Sequence, residues 1–160
     1  MTPSARDRPT VDEFMTRAPL TVACSTSLAE ALELMETGAL RHLPVLEHGR
    51  PIGVVTERDL LRLLARKRVS PEVMTVGEAM TPEPYVVAPW TPVAEVATTM
   101  AARRHGSALV MIEDRLVGIF TAVDGLRAVA RLAGRGDGGL GHWRAGPDLG
   151  DQPQELPETD

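Results

Sequence analysis

Two aspartates stand out for what they could bind. Asp59 closes the run Gly53-Val54-Val55-Thr56-Glu57-Arg58-Asp59, and Asp124 closes Gly118-Ile119-Phe120-Thr121-Ala122-Val123-Asp124. In each, a β-rich run ends, a threonine follows, and a carboxylate comes three residues later, at the start of a helix-forming segment. Threonine at the N-cap with an acid in the first turn satisfies orphan amides and complements the helix dipole, so the pattern has a purely structural reading. The same geometry can serve a ligand. Free amides at a helix start suit a phosphate, and a first-turn carboxylate can accept from two vicinal hydroxyls of a ribose. Cap and site can be the same residues.

Other chemistries find little support. His42, His48, His105 and His142 lack metal-ligand spacing, and Cys24 has no clustered partner for zinc. The sequence holds no Gly-x-Ser-x-Gly elbow and no phosphate loop ending in Gly-Lys-Ser/Thr. Lys67 is the sole lysine, which leaves lysine-based covalent catalysis poorly supplied. No enzyme is expected, no metal, and no required cofactor. The single cysteine fits a reducing compartment. No apolar run approaches the ~18 residues that span a bilayer, and the N-terminus lacks a signal-peptide layout. A soluble, cytoplasmic protein without membrane association is expected. Of the 22 acids, five (Asp148, Asp151, Glu155, Glu158 and Asp160) lie in the last 16 residues, and the rest of the chain balances 17 acids against 17 bases. That body offers no basic face for nucleic acid.

The elements that would position the two aspartates come in duplicate. Met15-Thr16 recurs as Met80-Thr81, Met35 as Met100, Gly53 as Gly118 and Asp59 as Asp124, always 65 positions apart. Residues 11–66 align on 76–131 without a gap, with about 20 of roughly 56 positions identical. Each copy opens with a short helical segment (Val11–Met15; Val76–Met80) and a proline-bearing extended stretch (Pro19–Ala23; Pro84–Ala88). A helix follows, announced by Ser27 with Glu30 as a capping box, and by Thr91 as N-cap with Pro92 at the first helical position. Leu28, Ala31, Leu32 and Met35 trace its half-buried stripe, repeated by Val93, Val96, Ala97 and Met100. Two strands around a turn come next (Leu43–Glu47 and Pro51–Val55; Ala108–Ile112 and Leu116–Phe120). A second helix ends each copy, over Glu57–Arg66 and Ala122–Ala133.

The expected layout is an N-terminal arm over 1–9, repeats over 10–67 and 76–133, and a linker over 68–75 containing Ser70-Pro71. A glycine-, proline- and acid-rich tail over 134–160 is expected to be disordered. The fold class is α+β, two β-α-β-β-α repeats. A unit this small leaves much of its surface uncovered, so the two should pack about a pseudo-twofold axis with equivalent loops around a common cleft.

In order and duplication these motifs resemble the CBS domain pair, or Bateman module, over about residues 8–133. The resemblance implies a stand-alone regulatory module for energy or metabolite sensing. It would bind AMP, ADP, ATP or S-adenosylmethionine between the repeats, associate as a homodimer and signal to a separate effector protein. Carried over to this chain, a first site would use Asp59 for the ribose, with Thr56 and Arg58 near phosphate. Thr81, Pro84 and Tyr85 would form its adenine wall, and Arg41 and His42 could contact phosphate. The mirror site would use Asp124 and Thr121, with Thr16, Pro19 and Leu20 as the wall. Ala122-Val123 replaces Glu57-Arg58 there, and Gly125 weakens the helix start by about 1 kcal/mol, so the second site is expected to be weaker or empty. The competing expectation is a ligand-independent dimerisation module in which both Thr-x-x-Asp motifs act only as caps.

Overall fold

The computed structural model describes residues 8–67 and 70–134. The expected disorder of the tail concerns residues that, apart from Gly134, lie outside this range. The first repeat opens with a 3-10 turn, Val11–Glu13, followed by β1 (Thr16–Arg17), β2 (Val22–Ala23) and α1 (Leu28–Thr37). It continues through β3 (His42–Glu47), β4 (Arg50–Thr56) and α2 (Glu57–Lys67). The second repeat runs α3 (Val76–Ala79), β5 (Thr81–Pro82), β6 (Val86–Val87), α4 (Val93–Arg103), β7 (Ser107–Ile112), β8 (Arg115–Thr121) and α5 (Ala122–Ala133). The α+β duplication is therefore present, with one strand per copy more than the sequence indicated.

That additional strand is the key to the architecture. One sheet is ordered β2-β3-β4-β5 and the other β1-β8-β7-β6, so each takes an edge strand from the opposite repeat. Thr81 and Pro82 lie antiparallel to Val54 and Gly53. Thr16 and Arg17 lie against Ile119 and Gly118 in the same register, 65 residues displaced. The glycine of each motif is explained by this crossing. A Cβ on Gly53 would stand 2.7 Å from the Thr81 carbonyl oxygen and 2.8 Å from Met80 Sδ, and one on Gly118 would run into Met15 Sδ and stand 3.1 Å from the Thr16 carbonyl oxygen. A two-residue strand carries no periodic signal, and its partner is far away in sequence.

The exchange continues at the short helical turns. The Thr10 amide donates to Glu13 Oε1 at 3.0 Å and the Thr75 amide to Glu78 Oε2 at 2.9 Å, which fixes each turn. The next amide then reaches across. Val11 donates to the Thr91 carbonyl at 3.0 Å, and Val76 to that of Thr26 at 2.8 Å. The linker is no loose tether where it is described, since Leu28 donates to the Met74 carbonyl and Ala29 to that of Pro71. Helix α4 starts one residue later than expected. Pro92 is the N-cap, because the Val93 amide is satisfied by the Pro9 carbonyl at 2.9 Å. At α1, Ser27 caps as expected, its hydroxyl accepting from the Glu30 amide at 3.1 Å, but the return bond from the Glu30 side chain that would complete the capping box is not made.

Two aliphatic cores result, and each is a composite. Val11 and Met15 pack with Val87, Val96, Val110 and Phe120, while Met74 and Val76 pack with Leu28, Leu43, Val55 and Leu60. Burying one such side chain contributes about 1.5–3 kcal/mol, so each half depends on residues lent by the other. Among the described residues no helix is long and apolar enough to cross a membrane.

Candidate ligand-binding cleft

Strand β4 hands over to α2 at Thr56, and the cap closes on itself. The Thr56 amide and hydroxyl both donate to Asp59 Oδ2, at 3.1 and 2.6 Å, while the Asp59 amide donates back to Thr56 Oγ1 at 3.2 Å. One carboxylate oxygen is thereby fixed. The other, Oδ1, has no partner among the described residues. The helix start offers less to an anion than the sequence suggested. The Glu57 amide is taken by the Arg41 carbonyl at 3.2 Å, and that of Asp59 by the threonine. These two amides, spent on capping, cannot also cradle a phosphate.

A cleft of about 890 Å³ lies between the repeats. Thr56, Arg58, Asp59, Arg41 and His42 reach it from the first repeat, and Thr81, Pro84 and Tyr85 from the second. The crossing of β5 over β4 brings the two groups together. Each residue expected of the first site is thus present at one cavity. Others were not foreseen: Arg62 one turn beyond Arg58, and Glu83, Arg104, His105, Gly106 and Ser107 from the second repeat. The Tyr85 and His105 rings stack with centroids 5.8 Å apart and planes inclined by 15°.

His42 and Ser107 occupy equivalent positions in the two copies, and both are at this cleft. A Cβ on Gly106 would lie 2.9 Å from His42 Nε2, so the imidazole rests against bare backbone. Burial lowers the His42 pKa from its usual 6.5; the Asp59 carboxylate opposes this and the Arg41 guanidinium adds to it. Burial therefore favours the neutral ring.

The mirror motif is built alike and ends differently. Thr121 donates to Asp124 Oδ2 through its amide and hydroxyl, both at 2.8 Å. Here Oδ1 is also taken, by Arg127 at 2.9 Å, and Asp124 is only 2% exposed. Thr16 stands beside β8 as Thr81 stands beside β4. Pro19 is half-buried and Leu20 exposed. The second acid faces its own arginine instead of open space. Among the described residues no group of three His, Cys, Asp or Glu is placed to hold a metal ion.

Comparison with known proteins bears on both halves. The CBS domain family matches residues 11–66 and 76–131. The structure of CBSX2 in complex with AMP is similar at 30% identity and a TM-score of 0.67, covering 78% of this chain and 98% of that one. The CBS domain pair of MJ0100, in complex with 5′-methylthioadenosine and S-adenosyl-L-methionine, is similar at 27% identity and a TM-score of 0.68, covering 79% and 97%. An L-aspartate semialdehyde sulfurtransferase of Methanocaldococcus jannaschii is 29% identical over 127 residues, 78% of this chain. The chain spans between 23% and 40% of the length of the first curated relatives it matches. Duplicated sheets, exchanged edge strands and two matched repeats agree: the chain belongs to the CBS domain family and carries a tandem CBS pair.

Proposed function

We propose that this CBS pair is a regulatory module that binds an adenosine-containing ligand in the Asp59 cleft and signals its occupancy to a separate protein. One observation carries the reading. Asp59 has one oxygen immobilised by Thr56 and the other uncommitted, in a cavity to which both repeats contribute. A carboxylate so held is preorganised to accept from ribose hydroxyls, with the Pro84 and Tyr85 wall beside it for the base. A volume near 890 Å³ suits a nucleotide-sized ligand. The adenosine compounds bound by CBSX2 and by the MJ0100 pair support the same class. A ligand gripping both repeats gains contact only when they are correctly closed, so its binding biases their relative angle. The Asp124 site is the weaker of the two, because its acid is already satisfied.

A second reading has its own observation. Helices α4 and α5 form an apolar groove of about 1130 Å³, with Leu126, Val129 and Leu132 exposed along α5. Leu126 is the counterpart of Leu61, itself 53% exposed on α2, so both repeats present an apolar position at the same point. Burying these helix faces against a second copy makes a homodimer, and that role needs no ligand.

Thermal melting separates the two. A ligand at 100 times its Kd adds about 2.7 kcal/mol, several degrees for a chain of this size. A shift with millimolar AMP, ATP or S-adenosylmethionine supports the ligand-binding module. No shift with any of them leaves self-association alone.

A further inference from the structure

The Asp59 cleft is rimmed by four guanidiniums, those of Arg41, Arg58, Arg62 and Arg104. None is paired with an acid among the described residues. With Asp59 assigned to the ribose, the remaining side chains count four permanent cations against two carboxylates, Glu57 and Glu83. The duplication supplies an internal control. At the corresponding positions of the other copy stand Gly106, Val123, Arg127 and Ala39, and the one arginine among them is bound to Asp124. The excess of two cations over carboxylates in this cleft compares with a single arginine in the other copy, where Ala122 and Ala18 also replace Glu57 and Glu83.

Arg104 is the most telling of the four. It is the C-cap of α4 with φ of 57°, a left-handed conformation usually left to glycine or asparagine. Its counterpart Ala39 shares the conformation, with φ of 51°, but has no reach. Arg104 lines the same cavity as Arg58 and Arg62, reaching it from the second repeat, whereas they reach it from the first. Arg62 lies one helical turn beyond Arg58, and side chains four apart on a helix are neighbours on one face. Two more planar forks are therefore available beyond those needed for a single phosphate, and this fork geometry matches phosphate oxygens bidentately.

We infer that the Asp59 cleft selects adenosine ligands bearing a di- or triphosphate over the cationic sulfonium of S-adenosylmethionine, with Arg62 and Arg104 as the residues that recognise the outer phosphates. This rests on the adenosine reading of the cleft. A ligand of net positive charge such as S-adenosylmethionine would meet an excess of guanidiniums over carboxylates, while added phosphates meet arginines without an acidic partner.

Calorimetric titration of the full chain with adenosine, AMP, ADP, ATP and S-adenosylmethionine, in magnesium-free buffer, tests it. ATP and ADP are expected to bind about tenfold or more tighter than AMP, with S-adenosylmethionine weakest. Arg62→Ala and Arg104→Ala should each weaken ATP about tenfold while leaving adenosine and AMP within about twofold, which also shows that the variants are folded. Arg104→Lys should recover part of the loss. S-adenosylmethionine or AMP binding as tightly as ATP overturns the inference and leaves the adenosine site standing, as does an ATP affinity indifferent to both alanine variants. If no adenosine compound binds the wild-type chain, site and inference fall together.

Discussion

Thr56 and Asp59 hold each other from both directions: the threonine hydroxyl donates to the carboxylate at 2.6 Å and accepts from the aspartate amide at 3.2 Å. The cap thus fixes the rotamer of the very acid proposed to meet the ligand. Structural and functional readings of the motif are one arrangement seen from two sides.

The two aspartates should separate cleanly by mutation. Asp59→Ala is expected to abolish binding of adenosine compounds and to cost about 1 kcal/mol, the usual loss for a cap. Asp124→Ala leaves Arg127 unpaired and removes a buried acceptor, so it should cost about 2–3 kcal/mol while binding at the Asp59 cleft persists. Urea unfolding and titration calorimetry on both variants check this. Binding lost with Asp124→Ala and kept with Asp59→Ala would reverse the assignment.

Acidification should destabilise the protein through His42. Its folded pKa lies below the unfolded value of about 6.5, so between the two the unfolded chain holds more protons. Stability contributed by the neutral ring is full above about pH 6.5 and declines as pH falls toward the folded pKa. His42→Asn should flatten this segment of the melting-temperature profile. Equal slopes for variant and wild type from pH 7.5 to 5.5 would place the effect elsewhere.

Gly53→Ala probes the exchanged strand. The new methyl meets the Thr81 backbone, which cannot swing away as a side chain would, so β5 must lift from β4. A loss of about 1–3 kcal/mol is expected, with ligand affinity reduced because Thr81, Pro84 and Tyr85 move together. Amide exchange along Arg50–Thr56 would report the opened edge.

Self-association should depend on α5. Leu126→Glu combined with Val129→Glu places charges on exposed positions, 68% and 62% accessible, and is expected to yield monomers without loss of fold. Light scattering coupled to size exclusion measures it. A wild-type chain already monomeric at high micromolar concentration would contradict the dimer.

Much of this was legible in the residues, and the parts that were not share a cause. The 65-residue offset exposed the duplication because identities accumulate over a whole unit. The composition of the first cleft followed from aligning its motifs with the family. Strands β1 and β5 escaped notice, being two residues long and paired only across the halves. His105 was hidden because the second copy shifts its basic residues upstream of the positions held by Arg41 and His42. Arg62 had a signal, its i+4 spacing from Arg58. The contrast between Arg62 and Arg127 had none, since they are the same residue at equivalent positions. One leaves its aspartate open and the other closes it, a difference that exists only in three dimensions.

The traded edge strands also bear on what a single repeat could be. Cut out alone, one half would lack an outer strand and several core side chains, and would carry a loose segment fitted to somebody else's sheet. Two such fragments would complete each other by reciprocal loan.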